Sequence, residues 1–232
     1  MTLIVSLLAV AAFALVFRDA IRRVPWLFYL LTGAMAAAFL LSDSSLLPQQ
    51  VVLAFTIPMQ RCYLAFSLFA LVMFIGAFSE DSLVRRRLGP IRAELSIMAS
   101  LLACAHIVYY VQAYLLRLFS ESSRIALNMY GAFALACLLV ALLVVLAATS
   151  LRAVKSRMAA ASWKKLQKLA YPFFVLVCVH AIVALAPSAI GGSAVSMIAV
   201  VEYAAVLVFY AIVRLRRARF DARGQAARAA LA

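Results

Sequence analysis

The chain has two histidines, His106 and His180, and each lies near the middle of a separate apolar segment long enough to cross a bilayer. An imidazole in hydrocarbon is costly, so such a residue is usually a functional group with a partner. Two imidazoles at similar depth on different helices are what a b-type haem needs, one on each face of the iron. The alternative is two unrelated polar residues packed in a helix bundle, and these two positions alone leave both interpretations open.

Two charged residues also fall deep within apolar segments, Arg61 in the third and Glu202 in the seventh. Charges at that depth are expected to face the interior of a bundle. Either the two form an ion pair, or Arg61 contacts a haem propionate while Glu202 carries protons or contacts a quinone. A guanidinium offers a carboxylate two parallel hydrogen bonds, which gives the propionate role a physical basis.

These residues belong to a chain that is 68% hydrophobic, with a mean hydropathy of +1.08. This composition is far more apolar than that of a soluble domain, and the long apolar runs predict an all-α, polytopic transmembrane helix bundle of about seven spans. The predicted spans are residues 2–17, 25–41, 51–78, 93–118, 126–149, 169–188 and 194–213.

The basic residues are distributed asymmetrically around these spans. Nineteen of the 22 Lys and Arg residues fall after the first, third, fifth and seventh spans. By the positive-inside rule, the N-terminus is then outside and the C-terminus cytoplasmic. The net charge of +14 is interpreted as loop topology and contact with anionic lipid, not as nucleic-acid binding. In this orientation both histidines lie about 16–20 Å from the cytoplasmic edge, on helices that run the same way.

Several other redox classes lack their sequence signatures here. The four cysteines are isolated, and there is no C-x-x-C-H motif for attaching a c-type haem. No Rossmann fingerprint occurs, so no flavin or nicotinamide module is expected. We therefore expect electrons to arrive from membrane quinol or from a separate reductase.

Two stretches carry motifs in a recognisable order. The first is the basic run Arg85-Arg-Arg-Leu-Gly-Pro, which leads into the segment of His106. The second is Thr149-Ser150, a basic loop and Trp163-Lys-Lys-Leu-Gln-Lys-Leu-Ala-Tyr171, followed by His180. Together they resemble the ferric reductase-like transmembrane domain family. That family includes the haem-binding membrane subunit of the periplasmic methionine sulfoxide reductase system and the membrane domains of NADPH oxidases.

The resemblance implies a six-helix core that holds haem between its third and fifth helices, which are the fourth and sixth spans here. It assigns the axial iron ligands to His106 and His180. Family members commonly bind a second, inner haem, whose ligand positions correspond to Arg92 and Gln167. Neither is a histidine, so the resemblance implies one haem b. Arg92 and Gln167 are then either ordinary interfacial residues or contacts of a quinone headgroup.

We accordingly expect residues 1–24 to form an extra N-terminal helix and basic loop, 25–213 the haem-binding core, and 214–232 a basic cytoplasmic tail. The expected function is a b-type cytochrome of the bacterial cytoplasmic (inner) membrane, an electron-transfer subunit of an oxidoreductase system rather than a complete enzyme. Its expected electron acceptor is an extracytoplasmic partner, by family analogy a flavin- or molybdenum-containing protein. The alternative function is a cofactor-free transporter or scaffold subunit, favoured by small residues at 33–38 that suit close helix packing.

Overall fold

The computed structural model of the chain describes residues 2–41, 58–119 and 127–229, and within these ranges it contains helices and no strand. The prediction of an all-α fold is therefore confirmed. The first residues of the predicted third span, and the connections around residues 43–50 and 120–126, lie outside the described residues.

The helices follow the apolar segments of the sequence closely. They are α1 (Leu3–Val16), α2 (Arg18–Arg23), α3 (Pro25–Leu40), α4 (Tyr63–Ala77), α5 (Leu83–Leu88), α6 (Arg92–Leu118), α7 (Leu127–Ser150), α8 (Arg152–Lys155), α9 (Ala160–Gln167), α10 (Ala170–Ile190) and α11 (Ala194–Ala229). A 3₁₀ turn, Gly89–Ile91, connects α5 to α6.

Among the described residues, four stretches of helix are long and apolar enough to cross a membrane, which makes the chain an integral membrane protein. They are Leu83–Arg117, Asn128–Ser150, Ala160–Ile190 and Ala194–Arg223. Helices α1, α3 and α4 are also apolar but have only 14, 16 and 15 residues. Helices of that length rise about 21–24 Å, less than the roughly 30 Å of hydrocarbon. The count of seven spans and the orientation of the termini therefore stay predictions.

Helix α4 lies at the centre of the bundle. Ten of its 15 residues are buried, so it has little surface left for lipid. It packs mainly against α1 and α6, and also contacts α10 and α11. Its N-terminal boundary is Cys62, whose φ of 57° is left-handed, a conformation uncommon outside glycine. This turn separates α4 from the short helical stretch at residues 58–60.

The outer helices present apolar side chains to the surroundings. Leu138 and Val144 on α7 and Val201 on α11 are half-exposed or more. Exposed side chains of this kind are favourable against lipid, as the hydropathy of the chain predicts. Helix α1 packs one face against α4, where Leu3 is fully buried. Ser67 of α4 also donates a buried hydrogen bond of 3.0 Å to the hydroxyl of Ser6.

Candidate functional site

The two histidines lie on helices that are held apart by their neighbours. His106 is on α6 and His180 is on α10. Helix α4 packs mainly against α6, and α7 packs mainly against α10, while direct packing between α6 and α10 is much sparser. The two imidazoles are nevertheless close enough to interact electrostatically. The fold thus brings both histidines to one region and leaves their helices separated.

The ring of His180 is fixed by a backbone group of a third helix. Its Nδ1 lies 3.0 Å from the carbonyl oxygen of Ala132 in α7. A carbonyl only accepts hydrogen bonds, so Nδ1 must carry the proton, and the lone pair of the neutral ring is then on Nε2. A hydrogen bond of this type is the usual device that orients a metal-binding histidine.

The ring of His106 has an unsatisfied nitrogen. Its Nδ1 is buried and has no hydrogen-bond partner among the described residues. Backbone groups of Met59 and Gln60 lie near enough to the ring for weak hydrogen bonding, although none meets the geometry of a full hydrogen bond to Nδ1. Tyr110 packs beside the ring with centroids 4.7 Å apart. A buried polar atom without a partner costs roughly 1–3 kcal/mol, and such atoms are uncommon unless a bound group or water completes them.

The rings of His106 and His180 fit a haem better than a bare metal ion. Within the described ranges, no three or more His, Cys, Asp or Glu side chains gather as a metal site would require. A porphyrin supplies four nitrogens of its own, so two imidazoles on opposite sides complete the iron. The oriented ring of His180 and the incompletely bonded ring of His106 fit that requirement.

Glu202 makes contacts that neither sequence-based interpretation anticipated. Its carboxylate is buried and accepts the backbone N–H groups of Leu3 at 2.9 Å and Ile4 at 3.5 Å. It therefore satisfies free N–H donors in the first turn of α1, where an anion also opposes the helix dipole. The salt bridges found within the described ranges do not include one between Glu202 and Arg61.

Arg61 sits in the turn that precedes α4 and is half-buried. Its Nη1 donates to the hydroxyl of Tyr63 at 3.4 Å, and its carbonyl accepts from the hydroxyl of Tyr203 at 3.4 Å. The one of these bonds that the guanidinium makes, to Tyr63, is long, so among the described contacts this group is only weakly held by protein. This leaves it suited to a carboxylate ligand.

Arg92 and Gln167, at the positions of the inner haem ligands in the family, bind protein groups on neighbouring helices. The Nε of Arg92 donates to the carbonyl of Val72 at 3.0 Å, and its guanidinium packs against Gly76. The Nε2 of Gln167 donates to the hydroxyl of Thr149 at 2.9 Å. The two side chains thus tie α6 to α4 and α9 to α7.

The sequence did not predict the contacts of three further groups: Trp163, Glu94 and the carbonyl of Ala132. The indole Nε1 of Trp163 donates to the carbonyl of Thr149 at 2.9 Å, so the two halves of the second motif touch. Glu94 is buried and accepts from Arg152 at 3.0 Å, while its other oxygen has no partner in the described part of the chain. The carbonyl of Ala132 had no sequence signal at all, because every residue has one.

Two comparisons with known proteins bear on this arrangement. Residues 61–178, just over half of the chain, match the model of the family described as "Ferric reductase like transmembrane component". The match includes His106 and stops two residues before His180. A protein of Treponema pallidum (strain Nichols), described as "Uncharacterized protein", is 32% identical over 170 residues, which are 73% of this chain and 47% of that protein. The chain therefore spans about half the length of this relative.

Proposed function

The chain belongs to the ferric reductase-like transmembrane family, and this membership suggests a membrane electron-transfer component. We propose that the protein is a b-type cytochrome whose iron is held by His106 and His180. The observation that carries the proposal is the hydrogen bonding of the two imidazole rings. One is oriented through Nδ1 by a carbonyl and the other has a buried nitrogen without a described partner. They come from helices that share neighbours but hardly touch each other.

The residues of the chain have definite tasks in this proposal. Ala132 holds the tautomer of His180 that presents Nε2, and α4 and α7 keep α6 and α10 at a fixed separation. A haem bound in this way supplies reversible one-electron chemistry. If His106 and His180 both hold the iron, no site on it would be left for oxygen, which favours electron transfer over oxygen activation.

We propose one haem per chain. The residues at the two inner ligand positions, Arg92 and Gln167, are engaged with Val72 and Thr149. Neither side chain is an ordinary iron ligand, and moving either one breaks a bond between helices. These contacts favour the interpretation of Arg92 and Gln167 as interfacial packing residues over the interpretation as a quinone headgroup site.

The remaining assignments concern the route of the electrons. We propose that membrane quinol or a separate reductase supplies them, and that the acceptor is an extracytoplasmic protein that contains flavin or molybdenum. The membrane is proposed to be the bacterial cytoplasmic membrane, with the N-terminus outside. Arg61 is proposed as the contact of a haem propionate, since its guanidinium makes only one long hydrogen bond to protein among the described contacts.

Absorption spectroscopy of the purified protein tests the proposal. We expect a reduced-minus-oxidised spectrum with a b-type α-band and about one haem per chain. His106→Ala and His180→Ala should each lose it, whereas Gln167→Ala, which removes a polar side chain outside the ligand pair, should keep it. Melting of each variant shows whether it is folded.

A ligand exchange separates a ligand role from a purely structural one. Methionine is also an axial ligand of haem iron and raises its reduction potential. His180→Met should therefore keep a haem but shift its potential upward. A wild-type protein without an α-band, or alanine variants that keep the whole band, would refute the haem and leave the cofactor-free transporter or scaffold subunit as the function.

A further inference from the structure

A second charged feature lies at one end of the bundle, away from the histidines. A cavity of about 150 Å³ opens between α2 and the segment formed by α5 and the 3₁₀ turn. The residues that line it are Arg18, Asp19, Arg22, Arg86, Arg87 and Pro90. Arg22 and Arg86 are 64 positions apart in sequence, so the fold, not a local charge run, brings these arginines together.

The charges in this arginine cavity are not balanced. Arg18 and Asp19 neutralise each other through two hydrogen bonds of 3.0 and 3.1 Å. The hydrogen bond from Arg18, aided by the charges of the neighbouring arginines, lowers the pKa of Asp19, so this carboxylate stays ionised. Arg22, Arg86 and Arg87 have no salt bridge to a carboxylate in the part of the chain that the structure describes.

Converging like charges repel, and an anion between them removes that cost. Guanidinium groups bind phosphate oxygens through paired hydrogen bonds, so phosphate is the anion they suit best. The surroundings of the cavity point to a lipid as its source. Val16 and Phe17, directly before Arg18, are 74% and 44% exposed, and Leu83 at the start of α5 is 71% exposed. These apolar side chains offer a surface to acyl chains beside the guanidinium groups.

We propose that the arginine cavity binds the phosphate of an anionic phospholipid headgroup at the membrane interface. Basic pockets of this kind between membrane helices are suited to acidic lipids. The lipid joins α2 to α5 and so bridges the end of α1 to the start of α6. This site is independent of the haem proposal, because no residue that lines the cavity is among the contacts described for the ring of His106 or His180.

Native mass spectrometry in detergent micelles tests the site. The probes are phosphatidylglycerol as the anionic lipid, phosphatidylcholine as the zwitterionic lipid, and inorganic phosphate. The wild-type protein should retain one phosphatidylglycerol in preference to phosphatidylcholine. The triple variant Arg22→Gln, Arg86→Gln, Arg87→Gln should retain it roughly a hundredfold less, since each arginine lost at a membrane surface weakens binding about fivefold.

The matched control removes the same charge elsewhere in a basic connection: Arg157→Gln, Lys164→Gln, Lys165→Gln, all exposed. It should retain phosphatidylglycerol as the wild type does. Equal loss in both triple variants would show a general charge effect and overturn the site, and so would displacement of the lipid by inorganic phosphate at equal concentration. If the cavity triple variant fails to fold, Arg22→Gln alone should still reduce retention measurably, and unchanged retention would overturn the proposal.

Discussion

Replacement of Glu202 by alanine tests whether this buried carboxylate holds α1 in place. The carboxylate accepts the N–H of Leu3 at 2.9 Å, and Leu3 is fully buried. In Glu202→Ala that donor loses its partner inside the bundle, and the first turn of α1 loses its compensating negative charge. An orphaned buried donor costs roughly 1–3 kcal/mol, and the charge at a helix N-terminus about 0.3–1 kcal/mol.

We therefore expect Glu202→Ala to lower the free energy of unfolding by about 2–3 kcal/mol. For a chain of this size, each kcal/mol shifts the melting temperature by about 2–4 °C, so the melting temperature should fall by about 4–12 °C. Glu202→Gln keeps one oxygen to accept the N–H of Leu3, but it loses the charge and the second oxygen, which accepts only the long bond from Ile4. Its expected cost is about 1 kcal/mol.

Thermal unfolding of the purified variants, followed by circular dichroism, measures these shifts. Asp221→Ala is the matched control, because it removes a carboxylate from the same helix, where Asp221 forms a half-exposed pair with Arg217. Such a pair contributes only about 0.3–0.5 kcal/mol. If Glu202→Ala melts like the wild type, Glu202 does not anchor α1. If Glu202→Gln melts normally but slows haem reduction, the proton or quinone role regains support.

Substitutions at three further positions test contacts elsewhere in the bundle by the same melting assay. Trp163→Phe removes the indole hydrogen bond to the carbonyl of Thr149 and should cost about 1 kcal/mol, so an unchanged melting temperature would contradict the motif contact. Gly76→Ala places a Cβ 3.2 Å from Nη2 of Arg92. A small shift of the guanidinium relieves this close contact, and the better helix propensity of alanine offsets the free-energy cost of that shift. We expect a change within about 0.5 kcal/mol for alanine and a loss above about 1 kcal/mol for Gly76→Val. Ser67→Ala leaves its partner hydroxyl on α1 buried without a bond and should cost about 1 kcal/mol, with an unchanged melt as the contrary result.

The helical segments were the most predictable part of the molecule, because long apolar runs have few alternatives in a bilayer. The predicted spans 93–118, 126–149 and 169–188 agree within two residues with α6, α7 and α10. The end of α11 was not predictable from hydropathy, which locates the edge of the membrane and not the end of a helix. Arg and Ala favour helix, and α11 continues to Ala229 through the predicted tail.

The start of α4 shows a different limit of sequence reasoning. The apolar run from 51 to 78 predicts one continuous span, yet the described part of it turns at Cys62 before α4 begins. Cysteine has no special preference for a left-handed conformation, so nothing in the local sequence marks the turn.

For the candidate site, side-chain types were readable and backbone partners were not. His106 and His180 stand out in the sequence because a histidine in hydrocarbon is rare. The carbonyl that orients His180 and the N–H groups that bind Glu202 belong to residues of ordinary type. Sequence reasoning paired Glu202 with a charge or a cofactor because free N–H groups at a helix start leave no trace in residue identity.

The length of α11 determines how closely anything can approach one end of the protein. Its 36 residues rise about 54 Å, while the hydrocarbon layer accounts for about 30 Å. If α11 spans the bilayer as proposed, roughly 20 Å of helix extends beyond the hydrocarbon, and Arg217 is bonded along this part to Asp221. A soluble partner that binds at this end of the bundle would then have to accommodate a basic helix as well as the lipid surface.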